Sequence, residues 1–133
     1  MLGDPYFNLE WIMGKVFIPL CWAMGVPWEE CELVGTLIGL KTVVNEFVAY
    51  QRMGEMKAAG LLSARAELIA TYSLCGFTNP GSAGIMIGAI AAIAPDQRET
   101  LSSIAVRAFF TGCGICFMTA CIAGLLMPEG AFG

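Results

Sequence analysis

Between Leu68 and Ala94 the chain carries no charged residue, a run of about 27 positions and enough to cross a bilayer, for which a helix needs roughly 20 apolar residues. Its centre nevertheless reads Gly76-Phe77-Thr78-Asn79-Pro80-Gly81-Ser82. Pro80 supplies no backbone donor and its ring crowds the carbonyl four residues earlier, while Gly76 and Gly81 loosen the turns on either side. In hydrocarbon, the N–H and C=O groups freed by such a break would find no partners. The break is therefore expected to line a protein-enclosed or water-filled cavity near the bilayer midplane. Broken helices at that depth are where secondary transporters bind substrate.

Composition agrees with a membrane setting. Hydrophobic residues make up 57% and charged ones 14% of the 133 residues, against roughly 45–50% and about 25% in soluble domains. The mean hydropathy is +0.71. The length fits one domain. The net charge of -4 comes from scattered acids without a basic stripe, which argues against nucleic acid as a partner. Histidine is absent, excluding His-based triads and most zinc sites; no enzymatic activity is expected. Of the six cysteines, Cys75, Cys113, Cys116 and Cys121 lie in apolar segments, where cysteine packs as a small hydrophobe. Cys113 and Cys116 have CxxC spacing but no Lys, Arg or His beside them to stabilise a thiolate. Cys21 and Cys31 flank an expected loop and could pair.

Four hydrophobic units are legible, giving an all-α membrane protein. The first, about 11–27, has Lys15 as its only charge and Trp11, Trp22 and Trp28 near its ends, as interfacial anchors do. Ala23-Met24-Gly25 resembles a signal-peptide cleavage site, but Asp4 and Glu10 make the leading segment acidic. The second, about 33–50, is too short and interrupted to span. It suggests a re-entrant hairpin with its tip near Thr42 to Glu46, or else an interfacial helix with Lys41 and Glu46 in water. A polar connector, Gln51 to Glu67, leads to the third unit, the discontinuous helix at about 66–94. Pro95 stops it. The fourth unit, about 102–127, carries Arg107 near enough to one end to snorkel, and Pro128-Glu129-Gly130 ends it. Gly84 with Gly88, and Ala120 with Gly124, have the spacing that lets helices approach closely. Lys15, Arg98 and Arg107 on one face balance Arg52, Lys57 and Arg65 on the other, so charge sets no orientation.

Two groups of residues can carry chemistry. Glu46 is a carboxylate at membrane depth, where such groups face a cavity, a substrate or a counter-ion, and Asn45 beside it offers both donor and acceptor. Asn79 and Ser82, three residues apart around the break, can present amide and hydroxyl groups to one ligand, or can satisfy the freed backbone. Phe77 adds an aromatic wall. Carboxylate, amide and hydroxyl together suit a ribose or another polyol, because each ligand hydroxyl wants a donor and an acceptor.

At this point the chain resembles a known family. Gly39-Leu40-Lys41-Thr42-Val43-Val44-Asn45-Glu46-Phe47-Val48-Ala49-Tyr50 is similar to the second re-entrant hairpin of the concentrative nucleoside transporters. The stretch from Tyr72 to Ile85 resembles the discontinuous helix that follows it. Val106-Arg107-Ala108 and Thr119 to Gly124 resemble that family's last conserved helix. The resemblance implies a multi-pass plasma-membrane symporter, driven by Na+ or H+ and without another cofactor, that imports nucleosides of the uridine or adenosine type. By position it implies ribose contacts for Glu46, Asn79 and Ser82 and a pocket wall for Phe77. Thr78 and Pro80 stand where the family commonly has alanine and a larger apolar residue, so Pro80 either sharpens the break or disturbs the site. Gly81 before Ser82 resembles members that accept purines and pyrimidines alike.

The resemblance also implies what lies elsewhere: a first hairpin that holds the base and the sodium ion, and most of the scaffold that makes homotrimers. The chain is thus expected to be a C-terminal portion of a partial inverted-repeat transporter, carrying half of the substrate site. A different expectation is a non-transporting membrane protein that associates with or inhibits the full-length transporter. A small redox protein using Cys113 and Cys116 is the third.

Overall fold

The computed structural model describes residues 9–127, and every regular element among them is helical. Asp4 and the terminating Pro128-Glu129-Gly130 lie outside the described residues. Helix α1 (Leu9–Ala23) is followed by a turn in which Gly25 adopts a φ of 91°. Helices α2 (Cys31–Val43) and α3 (Glu46–Ala58) form a hairpin whose tip is only Val44-Asn45. Helices α4 (Ala64–Leu74) and α5 (Pro80–Ile93) are the two halves of the broken unit. Helix α6 (Arg98–Leu126) follows a single 3-10 turn at Pro95–Gln97.

Local chemistry accounts for these boundaries. Asn45, Ser63 and Asn79 each turn their side-chain oxygen onto an amide three residues ahead, capping α3, α4 and α5. Such caps satisfy donors that have no intrahelical partner. Pro80 occupies the first helical position of α5, where a missing N–H costs nothing because that group would be unbonded anyway. Pro80 therefore starts the second half-helix. The interruption itself is the stretch Cys75–Asn79, in which Thr78 N bonds back to Gly76 O at 2.8 Å. The segment read as a polar connector is helical over its first half, since α3 continues to Ala58 and Gly60, with a φ of 69°, makes the turn behind it.

The core lies where α1, α2, α4 and the second half of α6 meet. Val34, Leu37, Ile38, Ile69, Ala70, Leu74 and Ala120 are fully buried there. α1 and α2 approach closely: a Cβ added at Gly35 would stand 2.6 Å from the carbonyl oxygen of Gly14. On α6, Cys116, Ala120 and Gly124 are the buried residues, four apart, and Gly124 faces Ile69 of α4. The Ala120–Gly124 pair thus packs helices, whereas Gly84 and Gly88 of α5 meet nothing within 4 Å. Helix α5 buries no residue, and the first half of α6 is exposed along with it.

Only the stretch Pro95–Leu126, among the described residues, is a helix long and apolar enough to cross a membrane unaided. α4 and α5 would need to be added across their break to reach comparable length. Cys21 and Cys31 do not pair; all six cysteines are free. Both are buried, and Cys31 instead directs its thiol to the carbonyls of Val26 and Pro27 at 3.5 and 3.4 Å.

Candidate functional site

The two helix breaks, though far apart in sequence, meet in space. Glu46 is the first residue of α3, where the positive end of the helix dipole favours a carboxylate. It is 8% exposed, and its Oε2 accepts a hydrogen bond of 3.1 Å from Nδ2 of Asn79, which is 2% exposed. The amide oxygen of Asn79 is already committed, accepting from the Ser82 amide at 2.8 Å. Asn79 is therefore held at both ends: its oxygen caps α5 and its nitrogen faces the carboxylate. A carboxylate has about four acceptor sites and an amide nitrogen two donors, so one mutual bond leaves both groups with capacity for a ligand. An interfacial helix with Lys41 and Glu46 in water does not fit this burial.

The other candidates are placed differently. Asn45 caps α3 through a 3.0 Å bond from the Val48 amide; it shapes the hairpin tip. Ser82 is half-buried in the first turn of α5, and Phe77, 72% exposed, lies on the segment between the half-helices. Phe77, Thr78 and Ser82 line one end of an open groove of about 240 Å³ between α5 and α6, whose other walls include Met86, Ile90 and Ile104. The hydroxyl oxygen of Thr78 is buried and has no hydrogen-bond partner. Its methyl sits against Gly112, where an added Cβ would come within 2.8 Å. The structure thus joins Glu46 to Asn79 directly and sets Ser82 and Phe77 on the groove beside them.

Three residues at the break escaped the reading of candidate site residues. The last carbonyls of any helix lack intrahelical partners, and those of α4 are taken up from three directions. Tyr50 Oη of α3 donates to Thr71 O at 2.8 Å, Lys41 Nζ of α2 to Ser73 O at 2.9 Å, and Cys116 Sγ of α6 to Cys75 O at 3.1 Å. Lys41 is 2% exposed. The signal for it was present, because Lys41 is the only basic residue of the second hydrophobic unit. Cys116 is buried, and its thiol is committed to the Cys75 carbonyl. Gly76 holds its place because a Cβ there would lie 2.6 Å from the Cys116 sulfur.

A helical hairpin whose tip meets the break of a discontinuous helix, with a buried carboxylate between them, is the architecture of a broken-helix membrane transporter. The family follows from comparison. Residues 1–124 match the family described as Na+ dependent nucleoside transporter C-terminus, and the chain belongs to it, a family of transporters and not of enzymes. The chain is 45% identical over 139 residues to solute carrier family 28 member 3 of Mus musculus, covering 95% of this chain and 20% of that protein. It is 39% identical over 134 residues to sodium/nucleoside cotransporter 1 of Oryctolagus cuniculus, covering 90% of this chain and 20% of the relative. Among solved structures, CNTnw in an inward-facing substrate-bound state superposes with a TM-score of 0.88 at 37% identity, over 96% of this chain and 31% of CNTnw. The chain thus spans about a fifth of the curated relatives. It is an all-α, multi-pass membrane protein with a re-entrant hairpin and a discontinuous helix.

Proposed function

We propose that this segment supplies the ribose-binding half of a cation-coupled nucleoside symporter of the plasma membrane. In this reading, α2 and α3 are the re-entrant hairpin within the 33–50 unit and its continuation, and α4–α5 the discontinuous helix. Glu46 accepts from ribose hydroxyls and Asn79 donates to them. Ser82 adds a hydroxyl, Phe77 walls the pocket, and Asn45 sets the hairpin tip. The observation that carries this is the buried 3.1 Å bond between Glu46 and Asn79, made across two helix breaks. It places negative charge and amide donors where two capped helix N-termini converge, an arrangement suited to a vicinal diol. The names of the cotransporter relatives support sodium as the coupling ion, with the base and the ion held by segments outside this chain and the complete protein assembled as a homotrimer.

The test is uptake of radiolabelled uridine and adenosine into liposomes holding the complete transporter that carries this segment. An inward sodium gradient is expected to drive accumulation, and its collapse to abolish it. Accumulation that ignores sodium but follows a proton gradient would reassign the ion, and none under either gradient would contradict the symporter reading.

A further inference from the structure

Lys41 is, with Glu46, one of the two charged side chains buried among the described residues, and the ribose site as described does not use it. An ammonium in hydrocarbon is costly, and such groups persist where they have a fixed partner or a function. Its partner is the Ser73 carbonyl, one of the last four of α4, at 2.9 Å. A cation is favoured there twice, by the unbonded carbonyls and by the negative end of the helix dipole. The neighbouring Thr71 carbonyl is held by Tyr50, from the other arm of the same hairpin. The hairpin therefore grips both halves of the broken helix. Lys41 and Tyr50 donate to the C-terminal end of α4, while Glu46 accepts from the N-terminal cap of α5.

In broken-helix transporters, exposed carbonyls and half-helix C-terminal ends are where mobile coupling cations bind. Here that end already has a cation, delivered on a side chain. We propose that Lys41 is a positioning residue, a tethered ammonium that stands in for a mobile cation at the broken end of α4 and thereby holds Glu46 and Asn79 in register. Nothing in this role requires Lys41 to touch substrate. Its charge fixes the end of α4, the short stretch from Cys75 to Thr78 transmits that position to Asn79, and Asn79 meets Glu46. The inference rests on the ribose-site reading for its effect on uptake, but not for its effect on the break.

Two readouts on the complete transporter in liposomes separate these. The first is alkylation of Cys116, followed by mass spectrometry. Its thiol is buried against the Cys75 carbonyl, so it reports the closed break without reference to transport. Lys41→Met, which keeps the apolar stem, is expected to speed Cys116 alkylation about tenfold or more, since a buried charge-assisted hydrogen bond is lost. Lys41→Ala is expected to do the same and to regain protection on addition of n-propylammonium, the piece removed, but not of tetramethylammonium at equal ionic strength. The second readout is uptake: Lys41→Met is expected to raise the KM for uridine about tenfold or more with the maximal rate per surface copy within about twofold.

Unchanged Cys116 protection in Lys41→Met, or an alanine variant that propylammonium does not protect, overturns the inference whatever uptake does. A variant that reaches the membrane only when propylammonium is present during expression supports it, and one equally poor with and without the amine overturns it. If the unsubstituted transporter takes up no nucleoside while the Cys116 results hold, the symporter reading fails and the role of Lys41 at the break stands.

Discussion

Replacing Glu46 with alanine in the complete transporter is expected to abolish nucleoside uptake while leaving surface expression close to that of the parent. In the proposed site the carboxylate accepts from two ribose hydroxyls, and both charge-assisted bonds, each worth about 1.5–3 kcal/mol, would disappear with it. Together they correspond to roughly a hundredfold or more in apparent affinity. Uptake at uridine concentrations below KM is thus expected to fall at least about a hundredfold. The fold should survive, because Asn79 keeps its capping bond to the Ser82 amide when its partner is gone. Glu46 is also peripheral to the apolar core formed by α1, α2, α4 and α6. Surface biotinylation alongside uptake checks the two halves of this expectation, and loss of the protein from the surface would make Glu46 a structural residue.

The largest stability effect is expected at the crossing of α1 and α2. A Cβ at Gly35 would lie 2.6 Å from the Gly14 carbonyl oxygen and 3.3 Å from the Phe17 Cβ. Neither is the far end of a flexible side chain, so a larger residue must push the helices apart. Gly35→Leu is expected to destabilise the protein by about 3 kcal/mol, at the severe end of overpacking. Thermal melting of the complete transporter in detergent should show this as a midpoint several degrees lower. Gly54→Leu is the control, because its Cβ position on the exposed face of α3 meets nothing within 4 Å. There no destabilisation is expected, because replacing a glycine inside a helix gains about 0.5–1 kcal/mol in helix propensity. Because α2 also carries Lys41, the Gly35 variant should lose uptake more steeply than it loses folded protein.

Much of this arrangement was readable from residue types. Gly76, Pro80 and Gly81 declare a break because their backbone preferences oppose a continuous helix, and the short, interrupted 33–50 unit declares a hairpin with its tip near Thr42 to Glu46. The part played by Pro80 was not readable in the same way. A proline inside an apolar run looks like a breaker, but at the first position of α5 it initiates, and which of these it does depends on where the preceding half-helix stops. Gln51 to Ala58 looked like a connector because it is polar. Its residues are nonetheless good helix formers, and the helix begun at Glu46 runs through them. The Cys21–Cys31 pairing failed because both thiols are taken into the core. From sequence Lys41 had a place only in the alternative of an interfacial helix with its charges in water, since its partner is a backbone carbonyl 32 residues away and backbone carbonyls leave no mark in sequence. The bond from Asn79 to Glu46, across 33 residues, was legible only as two chemically suited groups until the fold brought them together.

The central claim, that Glu46 and Asn79 together read ribose hydroxyls, is tested most directly by binding of uridine and 2′,3′-dideoxyuridine to the purified complete transporter, with and without Glu46→Ala. The parent is expected to bind uridine about a hundredfold more tightly than the dideoxy analogue, since a site built for hydroxyls is left with unpaired groups without them. In the Glu46→Ala variant that preference should collapse to within a few-fold, with the affinity for dideoxyuridine little changed. A preference for uridine that survives the substitution undiminished would contradict the account, because the hydroxyls would then be recognised elsewhere.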